Sequence, residues 1–357
     1  MKRVARSALL FLPLLLLLTA VNWYADPGNA IRSDYERKVA QILAGGENAA
    51  NLNNMDDRAF MREYLPLRTQ PIDTLALGSS HSMQITKELT GDENTFCGGM
   101  TGADLRDCIS LYRLVRQAGF SPSRVILVVD SWFLSEGTVE RRAMTDGYRE
   151  FCRENGFEPV QAGQWDQLSQ QLEKKMQLFS ITYFQSSLNF LQTGKQAVRD
   201  PVATTSFYSE SGMRRADGSY CYEAQYRDPD SGYARENVAA MMAVKPDFAA
   251  KFNGVSENLA AQLSAFIESM QADGCQVAVM IPPFHPDYYA FMAQRPQEYG
   301  ELLGTEGLIR DIAEKTGAAV FGSFDPSACG LTAADFYDGL HCSDTAMYKF
   351  YPQDLFA

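Results

Sequence analysis

The chain has 357 residues, 46% of them apolar and 21% charged, the balance of a globular protein rather than of a fibrous or low-complexity one. It carries 44 acidic against 32 basic residues, a net charge of -12 that argues against a nucleic-acid partner, which demands a basic face. Seven scattered cysteines with no Cys-x-x-Cys spacing argue against a zinc site, and their odd number leaves at least one thiol unpaired within the chain.

Lys2, Arg3 and Arg6 precede an uncharged run from Ala8 to Val21 that includes five consecutive leucines, and Trp23 and Tyr24 follow it. Positive charge, then an apolar stretch, then interfacial aromatics is the order of an export signal. With Asn22 to Tyr24 included, the run nears the lower limit of the roughly 20 residues that a spanning helix needs. No small-x-small site appears right after it. Residues 1–25 are therefore expected to be an uncleaved signal anchor, a single pass through the cell membrane with the body outside the cytoplasm; a cleaved signal peptide is the alternative. Export permits disulfides, but the cysteine spacing assigns no pairs.

Residues 26–70 are polar and acidic and read as a juxtamembrane linker with one helix over 33–43. The globular body is expected over 71–357. A short buried strand is predicted at 74–77, a helix opening over 82–89, a second strand at 95–97, and a helix over 103–118, where Leu105, Ile109, Tyr112, Leu114 and Val115 recur near helical period. The run Arg-Val-Ile-Leu-Val-Val-Asp at 124–130 is the clearest buried strand, β-branched and preceded by a Ser-Pro-Ser turn. From about 135 to 250 the pattern becomes irregular, with helix expected within 164–191 and loop over 204–233. The alternation resumes with a helix at 255–272, a strand at 276–281 ended by Pro282-Pro283, a helix at 308–316, a strand at 318–321 and a helical tail from 344. Strands alternating with helices imply an α/β fold: a three-layer α/β/α sandwich with a mostly parallel sheet, helices on both faces, and residues 135–250 as an insertion.

In such a sheet, functional groups gather beyond the carboxyl ends of the strands. Four motifs fall there: Gly78-Ser79-Ser80, Gly98-Gly99-Met100-Thr101-Gly102, Asp130-Ser131-Trp132 and Pro282-Pro283-Phe284-His285-Pro286. Asp338 and His341, three residues apart, follow the last strand. A hydroxyl, an imidazole and a carboxylate are the parts of nucleophilic acyl transfer.

Together these motifs resemble the SGNH (GDSL-like) hydrolase superfamily. Its first block, Gly-Asp-Ser, is matched by Gly78-Ser79-Ser80 with Ser79 in place of Asp. Its second, Asn-x-Gly-x-x-Gly, is matched by Cys97 to Gly102, which keeps both glycines but has Cys for Asn. Its last, Asp-x-x-His, is matched by Asp338 and His341. The third block, Gly-x-Asn-Asp, has no counterpart; Asp130-Ser131-Trp132 follows the corresponding strand. The Gly-Ser-Ser start and the Pro-Pro-x-His-Pro segment look closer to the DltD-like, polysaccharide O-acetylation branch of envelope proteins. The resemblance covers about 71–350 outside the insertion.

The resemblance implies Ser80 as nucleophile, His341 as base and Asp338 as its orienting carboxylate, with the backbone N–H groups of Ser80 and Gly99 facing the oxyanion. It also implies an Asn donor that this chain lacks, and an ionised Asp130 cannot replace it as a donor. Ser79 and Ser82 stay open as alternative nucleophiles. Three assignments have two readings each: His81 lines the site or is a polar turn residue, Asp130 contacts substrate or caps a following helix, and His285 contacts substrate at the rim or is a hydrogen-bonded loop histidine. Trp132 reads as core or pocket wall. Tyr208, Tyr220, Tyr222, Tyr226 and Tyr233 form either a carbohydrate-binding wall or a satellite core.

The expected function is a membrane-anchored, extracytoplasmic serine acyltransferase or esterase acting on O-acetyl or D-alanyl type esters of a cell-envelope polysaccharide or teichoic-acid-like polymer, with a membrane-bound O-acyltransferase as partner. No cofactor and no metal are expected. The alternatives are a secreted carbohydrate esterase or deacetylase, and a catalytically silent glycopolymer-binding partner of a membrane acyltransferase.

Overall fold

A computed structural model describes residues 2–27, 34–161, 176–192 and 200–356. The strands are β1 (Asn48–Ala50), β2 (Thr74–Leu77), β3 (Thr95–Cys97), β4 (Arg124–Val128), β5 (Val202–Thr204), β6 (Met213–Arg214), β7 (Tyr220–Cys221), β8 (Gln276–Ile281) and β9 (Ala319–Gly322). The helices are α1 (Lys2–Ala25), α2 (Tyr35–Ala44), α3 (Asp57–Tyr64), α4 (Lys87–Thr90), α5 (Leu105–Gln117), α6 (Asp146–Asn155) and α7 (Ile181–Gln192). They continue with α8 (Ala224–Arg227), α9 (Tyr233–Ala243), α10 (Asp247–Ala250), α11 (Glu257–Ala272), α12 (Pro286–Ala293), α13 (Pro296–Thr316) and α14 (Asp344–Met347).

The main sheet has five parallel strands in the order β3-β2-β4-β8-β9. The chain enters at β2, steps to β3 on one side, then crosses to β4 on the other, so the topological switch point lies between β2 and β4. Both faces of a parallel sheet are buried, which is why these strands read as unbroken apolar runs. Alternate residues serve two cores. Leu75, Leu77, Val125, Leu127, Val277 and Val279 pack on one face, against residues such as Ile109 of α5, Phe266 of α11 and Ile309 of α13. Ala76, Ile126, Val128, Ala278 and Met280 pack on the other, against Ile85, Leu89, Leu331, Met347 and Tyr351.

The second face departs from expectation. It is covered mainly by single-turn helices and loops, because the β2–β3 connection and the tail after β9 hold only short helical turns. The helix expected over 82–89 is a 3-10 turn at Ser80–Gln84 followed by α4, and the expected tail helix shrinks to α14. The helix expected at 308–316 is the end of the 21-residue α13.

The expected linker is also corrected. Residues Tyr35, Val39 and Leu43 of α2 and Phe60, Met61 and Tyr64 of α3 lie in the same core as β2 and β4. The body therefore begins well before residue 71. β1 joins the insertion strands in a second, antiparallel sheet ordered β5-β1-β6-β7, with Asn48 opposite Thr204 and Ala49 opposite Arg214. The segment expected as loop over 204–233 thus contains β6, β7 and α8. The insertion is only partly peripheral: Tyr148, Phe151 and Cys152 of α6 are core residues. The first part of the helix expected over 164–191 lies outside the described residues.

Among the described residues no helix is long and apolar enough to cross a membrane. The side chains of α1 are described from Leu12 onward; Leu12, Leu14, Leu16, Trp23 and Tyr24 are exposed. All seven cysteines are buried free thiols.

Candidate active site

The site forms at the switch point. β2 ends at Gly78, where a Cβ would stand 2.7 Å from that of Val128, so only glycine lets this turn pass so close to β4. The chain then tightens into the 3-10 turn. The Ser79 hydroxyl accepts the His81 N–H at 3.2 Å and caps that turn. The Ser82 hydroxyl donates to the Ser79 carbonyl at 2.7 Å. Local backbone therefore occupies both hydroxyls. The Ser80 hydroxyl instead reaches across the fold to Nε2 of His341, 2.8 Å away. That contact selects Ser80 among the three serines.

His341 sits on a tight hairpin closed by the Phe336–Cys342 bridge and by the Tyr337 N–H donating to the His341 carbonyl at 2.8 Å. Its Nδ1 lies 2.8 Å and 3.0 Å from the two carboxylate oxygens of Asp338. The same carboxylate accepts the backbone N–H groups of Leu340 and His341, both at 2.7 Å. Burial alone would push the Asp338 carboxyl up; the charge of His341 and these hydrogen bonds outweigh it and hold the group well below the usual carboxylate range. Burial opposes charge on His341, but Asp338, with a smaller contribution from Asp130, raises its pKa above 6.5.

The Gly98–Gly102 loop is tied to the end of β2 by the Gly98 N–H on the Ala76 carbonyl (2.8 Å) and the Met100 N–H on the Gly78 carbonyl (3.2 Å). A Cβ on Gly99 would stand 2.6 Å from the Ser82 hydroxyl, so a glycine is needed for this loop to lie against the Ser80 turn. The Gly99 carbonyl accepts both guanidinium arms of Arg214 at 3.3 Å. Arg214, fully buried in β6, pairs with Asp57 at 2.6 Å, and the other oxygen of Asp57 accepts the Thr101 N–H at 2.8 Å. Sequence reading missed this clamp. Arg214 lies more than a hundred residues from the loop it holds, and a lone arginine in a polar stretch carries no local signal.

The remaining assignments resolve differently. Asp130, at the end of β4, is fully buried and neither caps a helix nor faces the cleft; its carboxylate bonds Nδ1 of His81. His81 is a turn residue, part of the 3-10 turn, and it is buried beside the site. Its ring lies 5.0 Å from that of His341 and 5.7 Å from that of Trp132, placing a second histidine–aspartate pair beside the first. His285 is buried, and burial lowers its pKa. Its Nδ1 accepts the Asp287 N–H at 3.2 Å as the N-cap of α12, and its own N–H holds the Gly339 carbonyl at 3.2 Å. That is the hydrogen-bonded loop histidine, supporting the His341 hairpin from behind.

A cleft of about 750 Å³ opens at Ser80, bounded by Trp132, Val139, Phe248 and Leu340, with Lys251 and Glu136 among its polar lining. On the far side of His341 stands Tyr222, with ring centroids 5.5 Å apart. Tyr222 packs in turn on Tyr220, Tyr226 and Tyr337, and Tyr226 on Tyr233. Through Tyr222 the insertion thus reaches His341. Among the described residues no cluster of three or more His, Cys, Asp or Glu side chains is placed to hold a metal. The arrangement can deprotonate a serine for attack on a carbonyl. No protein-family model matches the chain, and no curated protein matches it either.

Proposed function

We propose that the protein is a membrane-anchored, extracytoplasmic serine acyltransferase or esterase of SGNH-like, three-layer design, acting on ester-linked acyl groups of a cell-envelope glycopolymer. The observation that carries this reading is the Ser80–His341–Asp338 relay, with 2.8 Å between nucleophile and base and 2.8 Å between base and carboxylate.

The chemistry follows from the geometry. His341 takes the Ser80 proton as its oxygen attacks the ester carbonyl, and Asp338 fixes the tautomer and balances the imidazolium. Collapse of the tetrahedral adduct expels the alcohol, which receives the proton from His341. An acyl-Ser80 ester remains, and the hydroxyl of a glycan or a water molecule attacks it in the reverse sequence. The N–H groups of Ser80 and Gly99 are the proposed oxyanion donors, the second on a loop clamped by Arg214. The open cleft and the tyrosines beside His341 suit an extended sugar acceptor. The apolar run of α1 is the proposed anchor, and a membrane-bound O-acyltransferase is the proposed source of acyl groups.

Fluorophosphonate labelling of the purified chain tests this reading. Labelling that disappears in Ser80→Ala is expected. A chain that never labels would favour a catalytically silent glycopolymer-binding partner. One observation speaks for that second reading: Asp130 stands where the resemblance calls for a donor, and its carboxylate is taken up by His81.

A further inference from the structure

The insertion returns one segment to α1, and that segment is chemically unlike the rest of the insertion. Residues 176–192 contain no charged side chain, although 21% of the chain is charged. Lys174 and Lys175 precede the segment and Lys195 follows it. α7 makes up most of it and exposes two apolar residues, Ile181 (68% exposed) and Leu188, while Met176 and Phe179, just before the helix, are also on the surface. The other exposed positions of α7, including Thr182, Gln185 and Ser186, are polar but uncharged.

Hydrogen bonds set how α7 lies on α1. Tyr183 donates its hydroxyl proton to Asp26 at 2.8 Å, and Ser187 donates to the side-chain oxygen of Asn22 at 2.9 Å. The Asn22 amide donates to the carbonyls of Leu178 and Ser180 at 2.9 and 3.3 Å. Four residues forward in α7 therefore correspond to four residues back in α1, so the helices run antiparallel. Continued at about 1.5 Å per residue, this register sets the end of α7 level with the last leucines of α1, a helical turn below Asn22. Asn22 and Ser187 are fully buried between the helices. The polar groups of α1 that would suffer most in an apolar medium are thus satisfied by α7, while leucine, isoleucine, phenylalanine and methionine face outward. Helix pairs in lipid are built this way.

We propose that α7 is a second membrane-contacting helix, lying beside α1 in the outer interfacial layer of the bilayer, with lipid as the occupant of its exposed face. Its uncharged polar positions suit that layer rather than the hydrocarbon centre. The proposal rests on the reading of α1 as an anchor. It ties the insertion, and with it Arg214 and Tyr222, to the membrane surface.

The test uses the full chain in vesicles of phosphatidylcholine and phosphatidylglycerol. An environment-sensitive fluorophore is attached at an introduced cysteine: Leu16→Cys in α1, Ile181→Cys or Leu188→Cys in α7, and Glu268→Cys on α11 as the aqueous control. The native cysteines are all buried, so the unsubstituted chain serves as the labelling blank. With nitroxide-bearing lipids, the Leu16 and Leu188 probes should lose more than half their emission, Ile181 less than Leu188, and Glu268 none. Variants are compared at unchanged melting temperature, and the two α7 sites guard against failure of either one. Quenching at Leu16 without quenching at Leu188 and Ile181 overturns the proposal and leaves the anchor standing; no quenching at any site overturns both. An α7 probe that ignores lipid but shifts to the blue with protein concentration assigns the face to a second copy, which also overturns it.

Discussion

Replacing Asp338 by asparagine isolates the role of the carboxylate. The backbone N–H groups of Leu340 and His341, both 2.7 Å from one carboxylate oxygen, can still be accepted by the amide oxygen, so the hairpin should keep its shape. The other oxygen, 2.8 Å from Nδ1 of His341, becomes an NH₂ group. A donor there forces Nδ1 to accept, which places the ring proton on Nε2, the atom that faces Ser80 at 2.8 Å. The base then presents a proton where a lone pair is required. Loss of the correct tautomer in a serine relay costs roughly 10⁴-fold, about 5 kcal/mol of transition-state stabilisation. The assay is the second-order rate of Ser80 labelling by a small fluorophosphonate across pH. In the unsubstituted chain, labelling should rise with pH through a titration above 6.5, because Asp338 and Asp130 favour the protonated His341. In Asp338→Asn the rate should collapse and the residual titration move to lower pH. A folded Asp338→Asn variant that labels within threefold of the unsubstituted chain would refute the relay.

Stability should follow the same pair. Asp338 is held below its ordinary 3.8, so its contribution is present above that pH and lost as pH falls through the lower folded value. His341 is raised above 6.5, so its contribution is full below that pH and lost as pH rises through the folded value; denaturant melts of Asp338→Asn should lose the first dependence and weaken the second, to which Asp130 still contributes. Arg214→Met leaves Asp57 buried without its partner and should cost about 3–5 kcal/mol in a chemical melt, together with slower Ser80 labelling; a change under about 1 kcal/mol would mean that the clamp is not structural. Tyr222→Ala should leave small-reagent labelling intact and weaken turnover of a polymeric ester, and equal turnover would return the tyrosines to a purely packing role. On the proposed reading Asp130 supplies no oxyanion hydrogen bond, and a missing donor typically costs on the order of a hundredfold or more, so p-nitrophenyl acetate should turn over slowly and a glycan acceptor should raise acyl release. Rapid hydrolysis indifferent to any acceptor would favour the secreted esterase.

The sequence alone made the main sheet legible and narrowed the relay to a few candidate residues. β2, β3, β4 and β8 were legible because a strand buried on both faces must be apolar at every position, which leaves a short unbroken run ended by turn residues. Motifs at the ends of such runs must converge at one edge of a parallel sheet, so the Gly78-Ser79-Ser80 turn and the Asp338/His341 pair are expected to meet there, with Ser80 favoured over its neighbours only by the resemblance. Tertiary structure decided what depends on partners far along the chain. β1, β5, β6 and β7 are two or three residues long, too short to show any period, and β1 pairs with strands more than 150 residues away, so the stretch before residue 71 read as a linker although it belongs to the core. The choice among Ser79, Ser80 and Ser82 lay in where each hydroxyl finds its partner, which three serines within four residues cannot encode. The same holds for Asp130, which reads as a cap or a ligand until the fold buries it against His81: a buried carboxylate takes whichever donor packing brings to it.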